Sequence, residues 1–155
     1  MNRSQWGILA AVLVAGSLIA CSSKSDSPAS SSTPSASGET AHSNAVAVNV
    51  TLKEFSVSAT PSAVPAGEVA FKATNAGTVA HEMVVLKTDK DVKSLPTKSD
   101  GTVDEAAANS VGEVNDLDAG KSGSATFRLT AGKYVLVCNL PGHYAAGMAT
   151  AFTVN

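Results

Sequence analysis

Cysteine, histidine and charge are all scarce in this 155-residue chain. It has two cysteines, three histidines and only 15% Asp, Glu, Lys and Arg, against roughly 25% charged residues in an average soluble protein. Two cysteines cannot staple a disulfide scaffold or build an all-cysteine metal cluster. Three histidines are too few for several separate metal centres. Eleven basic against thirteen acidic side chains, a net charge of −2, give no electrostatic case for binding nucleic acid. The length leaves room for about one domain and so excludes a multidomain enzyme. No nucleophile elbow, HExxH or phosphate-binding Gly/Lys loop is found either. The chain is therefore not expected to be an enzyme.

What is present is distributed unevenly. Arg3 is the only charge before Gly7 to Ala20, an apolar run of fourteen residues, which is short for crossing roughly 30 Å of hydrocarbon. A basic start, a short apolar stretch and small closing residues describe an export signal. Its end, Leu18-Ile19-Ala20-Cys21, resembles the bacterial lipobox, in which the cysteine is acylated and becomes the first mature residue. Residues 1–21 are thus read as a lipoprotein signal peptide with Cys21 as the lipid attachment. The alternatives are an ordinary signal with Cys21 as a bystander, or an uncleaved anchor. Several acyl chains on one residue exceed the two signals needed for stable anchoring. Residues 22–45 are Ser/Pro/Ala-rich with almost nothing large and apolar, the composition of a disordered linker. As a flexible coil this segment would span roughly 25–30 Å. His42 lies inside it, where no fixed neighbours favour metal binding.

Residues 46–155 are long enough for one self-sufficient core. Val46, Val48, Val50 and Leu52 alternate with Ala47, Asn49, Thr51 and Lys53, the period of a half-buried strand. The phase slips near Lys53-Glu54, suggesting a bulge or bend. Further strands are predicted over Glu68–Thr74, Ala80–Lys87, Ser124–Leu129, Lys133–Cys138 and Met148–Val154, with Gly and Pro marking the breaks. Short strands with frequent turns argue for a β-sandwich or small barrel. Thr88 to Asp118 fits less well: it has no strand-length apolar run and carries eight acidic residues against three lysines. Asp104 to Asn109 is expected to form a short helix there, its acidic residues at the N-terminal end.

Near the C-terminus Cys138, His143 and Met148 recur at five-residue intervals in a strand–loop–strand connection, and His81 opens a strand upstream. Two imidazoles, a thiolate and a weak thioether suit copper, which must be held as both Cu(I) and Cu(II). Zinc would gain little from a methionine. If Cys21 is acylated, Cys138 has no partner, and an exported free thiol drifts toward oxidation unless buried or ligated. Taken alone, Cys138 reads better as a small buried hydrophobe; the joint spacing is what points to a metal. Met83, two residues after His81, reads as core filling.

Two blocks, Asn75-Ala76-Gly77-Thr78-Val79-Ala80-His81 and Gly132-Lys133-Tyr134 through Met148, carry a resemblance to the cupredoxins, the blue (type 1) copper proteins of the plastocyanin, azurin and sulfocyanin kind. The resemblance covers Val69 to Asn155. It implies an all-β, Greek-key β-sandwich of about seven to eight strands with one copper ion per chain at one end. Carried over by position, His81, Cys138 and His143 are the equatorial ligands and Met148 the axial one. The backbone after the first histidine, here Glu82, is implied to donate to the cysteine sulfur. Glu82 stands where plastocyanins often carry Asn, and its side chain is expected to point outward into solvent. The small or apolar residues around His143 (Leu140, Pro141, Ala145, Ala146 and Gly147) are implied to be where electrons enter and leave. Tyr144 is expected to pack or bond locally.

The resulting expectation is a membrane-tethered, monomeric type 1 copper protein that carries single electrons between extracytoplasmic redox partners, such as c-type cytochromes or membrane oxidases. It would be lipid-anchored to a bacterial membrane and bind no nucleic acid. The alternative is an extracytoplasmic copper-binding protein for storage or delivery without redox cycling.

Overall fold

The alternation at Val46–Leu52 becomes the first strand of a computed structural model, which describes residues 44–155. The expected signal peptide, the expected lipid attachment at Cys21, His42 and nearly all of the expected linker lie outside the described residues. The strands are β1 (Val46–Lys53), β2 (Ser56–Thr60), β3 (Ala63–Val64), β4 (Gly67–Asn75), β5 (His81–Lys87), β6 (Ser110–Leu117), β7 (Ser122–Leu129), β8 (Gly132–Val137) and β9 (Ala149–Val154). They form two sheets, ordered β2-β1-β4-β7 and β3-β9-β8-β5-β6. The described residues form the expected all-β sandwich, with nine strands among them where about seven or eight were predicted.

The inner faces interdigitate along the two-residue period of each strand. Val48, Val50 and Leu52 of β1 and Val69, Phe71 and Ala73 of β4 meet Met83 and Val85 of β5, Leu136 of β8 and Phe152 of β9. Phe71 packs edge-on to Phe152 with ring centroids 5.4 Å apart. Met83 thus fills the core, as its strand position predicts.

β5 and β8 read as near-continuous apolar runs because the five-stranded sheet is covered on both faces. Val84, Leu86, Val135 and Val137 point away from the sandwich interior and pack against Leu95, Val103 and Ala108. The cover is the segment between β5 and β6, so the acidic excursion is an outer layer and not a solvated loop. Two expectations for it are corrected. Asp104 to Asn109 forms one hydrogen-bonded turn, with Ala108 N donating to Asp104 O at 2.9 Å and Ser110 N to Glu105 O at 2.9 Å, and Asn109 ends it at φ 55°. Six residues with so few turns cannot sustain a helix. The excursion also contains a strand, β6, which pairs antiparallel with β5 at the sheet edge. Only Val114 and Leu117 of its eight residues are buried.

The phase slip near Lys53-Glu54 is a hairpin turn. Lys53 pairs with Ser56, leaving Glu54 and Phe55 as the two loop residues between β1 and β2.

Candidate metal centre

His81 opens β5, Cys138 follows β8 and Met148 precedes β9. β8 is antiparallel to both β5 and β9, so the start of β5, the end of β8 and the start of β9 fall at one end of the sheet. Past the last registered pair, Val137 and Ala149, the ladder gains one more bond from Cys138 N to Met148 O at 3.0 Å. Between them the chain closes a compact loop: His143 N donates to Leu140 O at 3.0 Å, Ala146 N to Gly142 O at 3.0 Å and Met148 N to His143 O at 3.1 Å. Gly142 and Gly147 sit at φ 85° and 98°, a region glycine enters without a Cβ penalty.

The result is a convergence of donor atoms. One ligating atom from each of His81, Cys138 and His143 lies within 4.8 Å of the others. Cys138 Sγ is 3.3 Å from His143 Nδ1 and 3.8 Å from His81 Nδ1, and the two Nδ1 atoms are 3.2 Å apart. Cys138, His81 and Met148 are fully buried, and His143 is half-buried. Glu82 N donates to Cys138 Sγ at 3.5 Å, the contact that the resemblance implied.

Electrostatics favour a soft cation here. Burial pushes the Cys138 thiol up, only partly offset by the N–H groups of Glu82 and Leu140. Burial, and then the neighbouring His143, push His81 down. The Cys138 thiol and the His81 imidazole, which resist charge on their own, accept a metal ion, which takes the thiolate and the ring lone pair. No carboxylate oxygen belongs to the convergent trio. Thiolate and imidazole donors, with a buried thioether nearby, fit copper and not a hard, oxygen-seeking ion.

Glu82 differs from its expected outward pose. Its carboxylate turns back, and Oε1 accepts the backbone N–H of Asn139 at 3.1 Å. Burial first, then the carboxylates of Asp116, Glu113 and Glu105, push its pKa up to about 7. Glu82 therefore ties the strand of the first histidine to the residue after the cysteine.

Four further residues shape the site, and three of them, Asn139, Phe55 and Glu54, carried little sequence signal. Asn139 pairs with the outer layer, accepting from Val103 N at 2.6 Å and donating to Val103 O at 3.1 Å and Glu105 Oε1 at 2.9 Å. Tyr144 bonds locally as expected, its hydroxyl accepting from Leu95 N at 3.0 Å. Phe55 stands edge-on to the His143 ring, centroids 5.5 Å apart, and is 48% exposed. With Val79, 46% exposed, and the exposed Pro141, Ala145 and Ala146, it extends the apolar rim expected around His143. The third, Glu54, accepts from the backbone N–H groups of Thr78 and of Val79, the latter at 2.9 Å. Those bonds hold its carboxyl down at about 2. The phase slip marked the position of Glu54 and Phe55 but not their proximity to the metal-site histidines.

Residues 37–155 match the sulfocyanin (SoxE) domain family. Over 39 residues the chain is 56% identical to auracyanin-B of Chloroflexus aurantiacus, a stretch of 24% of this chain and only 17% of that protein. The crystal structure of auracyanin B superposes with a TM-score of 0.56 at 28% identity, covering 72% of this chain and 89% of that one. Auracyanin A, a "blue" copper protein from C. aurantiacus, gives a TM-score of 0.54 at 21% identity over 72% of this chain and 100% of that one. The match spans most of the chain and includes the whole sandwich and its convergent donors, so this chain belongs to the sulfocyanin (SoxE) domain family and is a cupredoxin of the blue copper kind.

Proposed function

We propose that this chain is a lipid-anchored electron carrier, not a catalyst, that passes single electrons between extracytoplasmic redox partners such as c-type cytochromes or membrane oxidases. The observation that carries the reading is the convergence of Cys138 Sγ with the two Nδ1 atoms beneath an exposed apolar rim. In this assignment His81, Cys138 and His143 would hold copper as its strong donors, and Met148 would add a weak thioether donor. Copper supplies a one-electron couple between its +1 and +2 states. The protein holds the donors nearly fixed: β-ladder bonds flank Cys138 and Met148, and Glu82 N orients the sulfur. His143 is the more exposed of the two histidines. The rim of Phe55, Val79 and Pro141 gives a partner an apolar contact from which water is excluded.

The test is a Cu(II) titration of the full chain carrying Cys21→Ala, so that Cys138 is the only thiol. An intense thiolate-to-copper band saturating at one equivalent, and bleached reversibly by a mild reductant, supports the reading. Tight Cu(I) binding without that band would instead favour copper storage or delivery. Met148→Leu should keep copper bound and raise the reduction potential, because a donor to Cu(II) is lost. The expected size is on the order of a tenfold change in the Cu(I)/Cu(II) ratio, about 59 mV for a one-electron couple. A lower potential would contradict the axial role.

The anchoring half of the proposal rests on the lipobox-like Leu18-Ile19-Ala20-Cys21. Cells fed a labelled fatty acid should label the protein, and Cys21→Ala should abolish the label. Labelling of the Cys21→Ala variant would defeat this part.

A further inference from the structure

His81 Nδ1 faces the metal centre, and its other ring nitrogen, Nε2, is fully buried with no hydrogen-bond partner among the described residues. The acceptor it faces is Glu54 Oε1, 3.5 Å away. That separation is long for a hydrogen bond, and such contacts around metal-free sites often tighten when the site is loaded. The carboxylate is not there by chance of rotamer. The N–H groups of Thr78 and Val79 hold it from one side. Gly77 leaves the space: a Cβ there would fall 2.5 Å from Oε1 and 2.6 Å from Oε2. Hairpin turn and β4–β5 connection are thus fitted to each other around one carboxylate.

We infer that Glu54 is a positioning residue for the copper ligand His81, fixing its tautomer through Nε2–H and setting a negative charge one imidazole away from the metal. The inference rests on the copper reading above. An unprotonated Nε2 would face the carboxylate acceptor to acceptor. Glu54 therefore selects the Nε2–H form, which leaves the Nδ1 lone pair for the metal. Carboxylate–histidine–metal relays work this way, orienting the ring and raising its basicity. In the metal-free chain His143 Nδ1, 3.2 Å from His81 Nδ1, is placed to donate to that same lone pair. A fixed negative charge favours Cu(II) over Cu(I), so removing it raises the potential.

The experiment uses the full-length chain at pH 8, wild type and Glu54→Gln, Glu54→Ala and Gly77→Ala, with folding checked by circular dichroism. Nitrogen-15 NMR of the metal-free chain reads the His81 tautomer, and electrochemistry of the copper-loaded chain reads the potential. Wild type should show Nε2–H. Glu54→Gln keeps an acceptor but loses the charge, so it should retain that tautomer while the potential rises by about a tenfold change in the Cu(I)/Cu(II) ratio, about 59 mV. Glu54→Ala should lose the tautomer preference and weaken copper binding about tenfold. Gly77→Ala displaces the carboxylate without deleting it and should shift the potential in the same direction, which decides the matter if Glu54→Ala fails to fold. A wild-type His81 in the Nδ1–H form, or unchanged potentials in Glu54→Gln and Gly77→Ala, would overturn the inference. The tautomer readout needs no copper, so a wild type without a blue band would fail the copper reading while leaving the Glu54–His81 pairing separately scored.

Discussion

Cys138→Ser should abolish the intense thiolate-to-copper band completely while the sandwich stays folded. The sulfur is the one strongly coloured donor of the trio, and a serine hydroxyl neither ionises near neutral pH nor matches a thiolate's affinity for copper. The change is close to isosteric, so the fully buried site is not emptied. The Oγ inherits the Glu82 N–H that now points at Sγ from 3.5 Å. Loss of hydrophobic burial and imperfect hydrogen bonding should cost about 1 kcal/mol. Copper affinity should fall further than the 10–100-fold that removal of an outer partner typically produces. Optical spectroscopy with copper in excess, paired with a urea melt, checks both halves. An intense band in the serine variant would sink the ligand assignment, and a collapsed fold would contradict the packing argument.

Asn75→Ala should be among the most destabilising changes at this end of the molecule, by about 3 kcal/mol. The amide is fully buried and bonds with every polar group it has. Nδ2 donates to Val79 O at 2.7 Å and to Leu117 O at 2.8 Å, and Oδ1 accepts from Gly77 N at 2.8 Å. Each net bond contributes about 1 kcal/mol, and stranding a buried partner costs about 1–3 kcal/mol more. Leu117 pairs with His81 across β5 and β6, and Val79 lies two residues before His81. The same variant should therefore also weaken copper binding. Asn75→Asp keeps the acceptor for Gly77 but sets a carboxylate against two carbonyl oxygens, and should be at least as damaging. A loss below about 1 kcal/mol in Asn75→Ala by urea denaturation would show that water can take the amide's place.

The parts of the fold legible in the sequence are those where burial follows chain periodicity. β1 shows its period of two because one face meets the core. β5 and β8 show continuous apolar runs because both faces are covered. β6 was illegible for the converse reason: it is an edge strand whose pairing shifts against β5, so only Val114 and Leu117 are buried and the alternation is lost. β3, two residues long, is too short to have a period. At the metal centre, Cys138, His143 and Met148 stood out because one loop carries all three, and His81 because a histidine opened a strand. Glu54 and Asn139 act across sequence separations of 27 and 36 residues respectively. Such pairings exist only once strand register is set, so no local pattern announces them.

The bonds of Asn139 and Tyr144 to the outer layer make the metal-binding loop and the β5–β6 connection a single exchangeable part. The Asn139 amide satisfies both the N–H and the C=O of Val103, as a neighbouring strand would, and the Tyr144 hydroxyl takes the Leu95 N–H. A ligand loop grafted in from another cupredoxin would leave those backbone groups without partners inside a packed layer. Loop transplantation is therefore a two-segment problem in this scaffold: the donor's loop brings its own spectrum only if its own outer layer travels with it.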